Sequence, residues 1–410
     1  MLIVLVIVSA GLFGWAVFRY FYTSKIAVEE QYLNLRETHL EALKNMQSET
    51  GTYPEKAAEF EHATSQLNEA LKQVKKNSNY EGTLKIDLAI SIMSEGMSAP
   101  VVDNRKLVQA VQIVRDVALN KNYDAQTRNR AFNRLGDFLY NHYDGRLPAI
   151  ARDIVFIGPI FEDLLKKDDI GFLPAIARVY EVAADTFPYP LSEYRAANTF
   201  ADVLLSNQNL SKAEQLSLLN TIREHLRRGD ELMKNPSIFR TSGALEGPAG
   251  EDLLAKHNEG NSHWLRAATL ARLYLTNTKS KESEKDDINQ SFEKALQILS
   301  STRTNIASRR EMVSRYYYAF WLVEAYGVER ASQIQSLLRP IYPSLARASV
   351  DLLEFILAEA DENIHGNHYH RRGIIKLAAI DPEWRAWVKG NGWTDALLNV
   401  TLPPLPLIAQ

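Results

Sequence analysis

The chain has 410 residues, 46% hydrophobic and 24% charged, enough for a sizeable core and, at about 150 residues each, two or three domains. Its 19 glycines and 15 prolines fall well below the usual share of about 12%, which argues against a turn-rich β-sandwich or barrel. A net charge of −3 excludes the broad basic surface of a phosphate-tracking nucleic-acid binder, and the absence of cysteine excludes disulfides, thiolate zinc sites, iron–sulfur clusters and thiol nucleophiles.

Residues 2–18 are apolar and uncharged, and Tyr20, Phe21 and Tyr22 carry the run past Arg19 to about 20 residues, the length that spans a bilayer as helix. A cleaved signal peptide would show a basic segment before this run and a small-x-small site after it, and neither is present. The expectation is a single-pass transmembrane anchor over residues 1–23, in contact with the lipid bilayer. Arg19, Lys25 and Arg36 follow it while no lysine or arginine precedes it, so the positive-inside rule places the body in the cytoplasm. Ala10 and Gly14 form a small-xxx-small pair, leaving a homo-oligomer open.

Residues 24–100 read as a helical stalk and hairpin. Ile26, Leu33 and Leu40 recur every seven residues, Gly51 and Pro54 break the run, and Phe60, Ala63, Leu67, Ala70, Leu71 and Val74 resume helical spacing ahead of Lys72, Lys75 and Lys76. From Leu84 to Ile92 strand alternation competes with helical spacing. A lone strand could not satisfy its backbone, so a helix is expected.

Residues 101–234 form a helical, repeat-like region. Leu107, Val111, Val114 and Ala118 make a stripe, Asp124 and Ser192 are expected helix caps, and Ser211 with Glu214 has the spacing of a capping box. The hexapeptide LPAIAR occurs twice, placing Pro148 and Pro174 near two helix starts. Residues 235–262 contain three prolines and glycines within Gly247–Gly250 alone and are expected to be an irregular loop, with the polar cluster His257 to His263 at a helix entry. Residues 263–401 return to helix, interrupted by a polar connector, TNTKSKESEKDD, and containing an aromatic-rich helix from about Ile306 to Tyr326 and a buried segment over 345–359. The tail, 402–410, reads as extended.

Phe132-x2-Leu135-Gly136-x2-Leu139 and Ala267-x2-Leu270-Ala271-x2-Tyr274 resemble the first helix of a degenerate tetratricopeptide repeat, and Ala295-x3-Leu299 resembles its second. These matches cover about a fifth of the chain. The resemblance implies stacked helical hairpins presenting a surface to a partner peptide, and it transfers no contact residue.

Three clusters carry possible chemistry. In the stretch His257 to His263, read foremost as a helix-entry loop, histidine and Glu259 offer acid–base groups and His263 suits an anionic group. His365, His368 and His370, spaced around Gly366, offer imidazoles suited to a divalent metal, although the pattern is not H-E-x-x-H. Arg371, Arg372, Lys376, Arg385 and Lys389 interleave with Trp384, Trp387 and Trp393, and Arg371, Arg372, Trp384 and Trp387 are the partner-binding candidates. No P-loop, dinucleotide fingerprint or nucleophile elbow is present, and no residue is assigned a catalytic or cofactor-binding role. The expected fold is all-α, a transmembrane helix followed by an α-solenoid-like array of antiparallel hairpins. The expected function is a membrane-tethered scaffold for a protein or peptide, with a metal-dependent enzyme at the histidine cluster or an assembly spacer as alternatives.

Overall fold

The computed structural model describes residues 53–74, 76, 78–98, 103–141, 172–206, 210–239, 248–276, 282–301, 305–341, 369–390, 393–401 and 405. Among them every regular element is helical and none is a strand. The α-helices are α1 (Tyr53–Gln73), α2 (Asn79–Ser98), α3 (Asn104–Leu119), α4 (Ala125–Asn141), α5 (Phe172–Thr186), α6 (Pro190–Ser206) and α7 (Lys212–Met233). They continue as α8 (Pro248–Thr276), α9 (Glu282–Ser301), α10 (Asn305–Tyr326), α11 (Ala331–Leu338), α12 (Tyr369–Ile380), α13 (Pro382–Gly390) and α14 (Asp395–Leu398).

Local chemistry accounts for the helix starts. The Asp124 carboxylate accepts from the Thr127 amide at 2.7 Å ahead of α4, and Ser211 and Glu214 form a reciprocal capping box on α7. Asp103 and Asp381 accept from amides at the starts of α3 and α13. Ser192 behaves differently from its expected capping role. Pro190 opens α6, and the Ser192 hydroxyl, within its first turn, accepts from the Asn129 and Asn133 amides at 3.0 and 2.7 Å.

Consecutive helices pack on one another from α1 through α7, again from α8 through α11, and α12 on α13. Alternate helices also touch: α2 with α4, α6 with α8, α8 with α10, and α10 with α12. Close approach is purchased with glycine at a few points. A Cβ on Gly136 of α4 would lie 2.5 Å from the Tyr180 ring of α5, and one on Gly260 of α8 would lie 2.8 Å from Leu299 of α9.

The stretch from Leu84 to Ile92 is helical, within α2. Leu84, Ile86, Leu88 and Ile92 are all buried because α2 is covered on more than one side, which is why both periodicities fitted it. The expected irregular region over 235–262 is largely structured: Pro236–Phe239 is a 3-10 turn and α8 already begins at Pro248, so the cluster from His257 to His263 lies inside a helix. Its loop-like composition arises from Gly260, which serves packing against α9 rather than a turn. The polar connector likewise ends earlier than expected, because Glu282 and Glu284 form the first turn of α9, where carboxylates complement the helix dipole.

The expected anchor over 1–23, the stalk, the first LPAIAR copy and the segment 345–359 lie outside the described residues, as does the tail apart from Leu405. Among the described residues no helix is long and apolar enough to cross a membrane.

Candidate functional site

Alternate helices are joined by a repeated polar grip. From α6, the Arg195 guanidinium reaches α4 and donates to Asn133 at 3.1 Å and to Asp137 at 3.0 Å. From α8, Arg272 reaches α6 in the same way, donating to Asn198 and pairing with Asp202 at 3.1 Å. The acceptors stand four residues apart, one helical turn, so a planar guanidinium can span both. Between α12 and α10 a related contact joins Arg372 and Lys376 to Glu324, at 2.7 and 2.6 Å.

Arg272 is 2% exposed and lies between aromatic faces, its guanidinium carbon 5.6 Å from the Tyr317 ring and 5.1 Å from the Tyr369 ring. Burial pushes the Asp202 carboxyl up, while Arg272 and the Tyr140 hydroxyl, which donates at 2.9 Å, pull it back. This second grip is neutral in sum. The first is not: Asp137 serves both Arg195 and Arg134 of α4, the latter at 3.4 Å, and also accepts the Tyr180 hydroxyl at 3.0 Å.

Beside the first grip lies a cleft of about 40 Å³, crossed by α4, α5, α6, α8 and α10. Asp137, Tyr140, Tyr180, Arg195, Asn198 and Thr199 line one side, and Asn261, Trp264, Leu265, Arg310 and Tyr317 the other. Asp137 is its only carboxylate among the described lining residues, against Arg195 and Arg310 in the wall and Arg134 behind. Arg310 stands over the Trp264 ring, 5.9 Å from its centroid, and Trp264 meets Tyr317 edge-on.

One stripe of α8 faces this charge with its hydrogen bonds unmade. His257 Nδ1, Asn261 Oδ1 and Trp264 Nε1 are buried without a partner, and their spacing of four and then three residues puts them on one side of the helix. Asn261 is 3% exposed and Trp264 5%. Burial above all, with Arg310, Arg195 and Arg134 adding to it, lowers the His257 pKa from 6.5 to about 3. His257 is therefore neutral at pH 7. His263, on another face of α8, is also lowered, to about 4, by burial and by Lys294 and Arg266.

A histidine–carboxylate contact of the kind used in acid–base chemistry occurs elsewhere, between α7 and α6, where His225 Nδ1 lies 2.6 Å from Glu193. Both side chains are almost wholly buried.

Of the candidates read from sequence, His365 and His368 lie outside the described residues, and His370 is placed only as a backbone position at the start of α12. Among the described residues no group of three potential metal ligands converges. Trp384 is not a surface contact: it is fully buried, stacks on Tyr316 at 5.6 Å and donates its indole N–H to the Ile374 carbonyl. Trp387 is half-buried and packs on Trp384. The Arg372 guanidinium is engaged by Glu324, and Arg371 is half-buried on α12. The cluster thus packs the carboxyl-terminal helices onto α10.

The cleft residues themselves carried a sequence signal. Arg130 to Leu139 reads RAFNRLGDFL and Arg195 to Leu204 reads RAANTFADVL, sharing R-A-x-N-x-x-small-D-x-L. The shared Asn and Asp are the acceptors of the two grips. No family model, curated protein or solved structure matches the chain.

Proposed function

We propose that this chain is a membrane-tethered helical scaffold that binds a partner polypeptide along the row of alternate helices α4, α6, α8 and α10. Its hairpins stack in the manner of an α-solenoid, similar to degenerate tetratricopeptide repeats. The carrying observation is the repeated arginine grip: Arg195 on Asn133 and Asp137, then Arg272 on Asn198 and Asp202, tie successive alternate helices side by side. A row held by side chains presents a wall of polar and aromatic groups, and such a surface suits an extended segment. The apolar, uncharged residues 2–18 support a bilayer anchor, and the basic residues after them support a cytoplasmic body.

Crosslinking in intact membranes, followed by identification of the recovered polypeptides, tests the scaffold. A reproducible partner is expected. Release of the full chain by alkaline carbonate would refute the anchor, and digestion of the body by protease added outside sealed cells would refute the orientation.

A further inference from the structure

Helix α2 packs on α4, α6 on α8, α8 on α10 and α10 on α12, but among the described residues α4 and α6 are missing from this series of closely packed alternate pairs. They are joined instead by a column of side-chain hydrogen bonds. Ser192 of α6 accepts from Asn129 and Asn133 at 3.0 and 2.7 Å, and Arg195 donates to Asn133 and Asp137 at 3.1 and 3.0 Å. At the far end Tyr140 of α4 donates to Asp202 at 2.9 Å. The cleft of about 40 Å³ lies along the same line, lined by Asp137 and Tyr140 from α4 and by Asn198 and Thr199 from α6. Protein interiors hold few spaces larger than a water molecule, so this seam is less tightly filled than a core.

The column can part without stranding a charge. Apolar faces resist separation because their area returns to water, whereas donors and acceptors exchange a protein partner for water at small net loss. An ion left alone in the interior normally forbids such a motion. Here each charged group has a second partner that need not leave it. Asp137 keeps Arg134 of α4 at 3.4 Å and the Tyr180 hydroxyl of α5 at 3.0 Å. Arg195 keeps the Tyr180 ring, whose centroid is 5.7 Å from its guanidinium carbon, and Asp202 keeps Arg272 of α8 at 3.1 Å. Among the described residues α5 is the helix packed closely on both α4 and α6, so it supplies an axis.

We infer that the seam between α4 and α6 is a hinge: α1–α4 swing away from α6–α14 about α5, Arg195 leaves Asp137, Tyr140 leaves Asp202, and the cleft widens. The closed state is hydrogen-bonded across the seam and the open state is hydrated there, which gives the two discrete arrangements that hinge motion between packed bodies requires. This goes beyond the scaffold reading and needs no partner.

The chain has no cysteine, so introduced pairs can be spin-labelled at chosen exposed positions. Full-length protein in nanodiscs carries labels on Gln112→Cys of α3 and Gln290→Cys of α9, across the seam. Two same-side pairs serve as controls: Asn68→Cys of α1 with Gln112→Cys, and Asn220→Cys of α7 with Gln290→Cys. Distances are measured by pulsed double electron–electron resonance in the otherwise native chain, in Tyr140→Phe and in Tyr140→Phe/Arg195→Gln. The cross-seam pair is expected to show a second distance population. Its ratio to the first should rise by about two- to tenfold in Tyr140→Phe, for the loss of one hydrogen bond, and further in the double variant. Both same-side pairs should keep single, unmoved distances. A cross-seam distance that stays single in a double variant with intact same-side distances would overturn the hinge, as would equal broadening of all three pairs. Should the double variant fail to fold, urea titration of the otherwise native chain decides: the cross-seam distance should change before either same-side distance, and simultaneous change overturns the hinge.

Discussion

Gly136 places α4 against α5 and, through Tyr180, orders the cleft. A methyl group there would sit 2.5, 2.7 and 2.9 Å from three carbons of the Tyr180 ring, so the ring must retreat by about 1 Å. It has little freedom to do so: its hydroxyl donates to Asp137 at 3.0 Å, and Asp137 in turn holds Arg195 at 3.0 Å. Overpacking costs about 1–3 kcal/mol, while alanine gains about 1 kcal/mol over glycine within a helix. Breaking the buried hydrogen bond adds about 1 kcal/mol. Gly136→Ala should therefore destabilise by about 1–3 kcal/mol in equilibrium urea unfolding. In the double variant Gly136→Ala/Tyr180→Leu, the smaller side chain should make the alanine nearly free, giving a favourable coupling of about 1 kcal/mol. Gly390→Ala, where a Cβ meets nothing within 4 Å, is the control and should change stability by less than about 0.5 kcal/mol. A Gly136→Ala protein stabilised by the full helix propensity gain would show that α4 and α5 are not in this contact.

Two further outcomes follow from the buried charges. The native pKa of His257 is depressed below its unfolded value of 6.5, so the unfolded chain binds a proton first and stability falls as pH drops from about 6.5 toward 3. Between about pH 7 and pH 5 His257 should account for about 2 kcal/mol of lost stability, with His263 adding a comparable slope; urea titrations of His257→Gln should show that slope roughly halved, and an unchanged slope would contradict the burial. Arg272→Met strands Asp202 in the core and should cost about 3–5 kcal/mol by the same assay, whereas Arg272→Met/Asp202→Leu should recover much of it; additive losses would show that the two do not form a pair.

Much of the helical organisation is legible in the sequence because it rests on local chemistry. The stripe from Leu107 to Ala118, the Asp124 cap and the Ser211–Glu214 box depend on neighbours within a few residues, and each is present. Where composition misled, tertiary packing had reassigned the residue. Gly260 looks like a loop and instead admits Leu299; Ser192 looks like a cap and instead receives two amides from α4; Trp384 looks like a surface aromatic and instead fills the joint between α10 and α12. The cleft was hidden for the same reason. Asp137, Arg195, Asn261 and Arg310 come from four helices spread over more than 170 residues, and no local pattern says that they meet. Only the recurrence of Arg, Asn and Asp in α4 and α6 hints at a common geometry.

The most direct measurement places a photo-crosslinking benzoylphenylalanine at Tyr140, half-buried in the cleft wall, and separately at Leu216, exposed on α7 away from it. Irradiation of intact membranes should join one recurrent polypeptide to the chain from position 140 and not from position 216. Equal crosslinking from both positions, or a recurrent partner captured only from position 216, would contradict a partner held by the cleft.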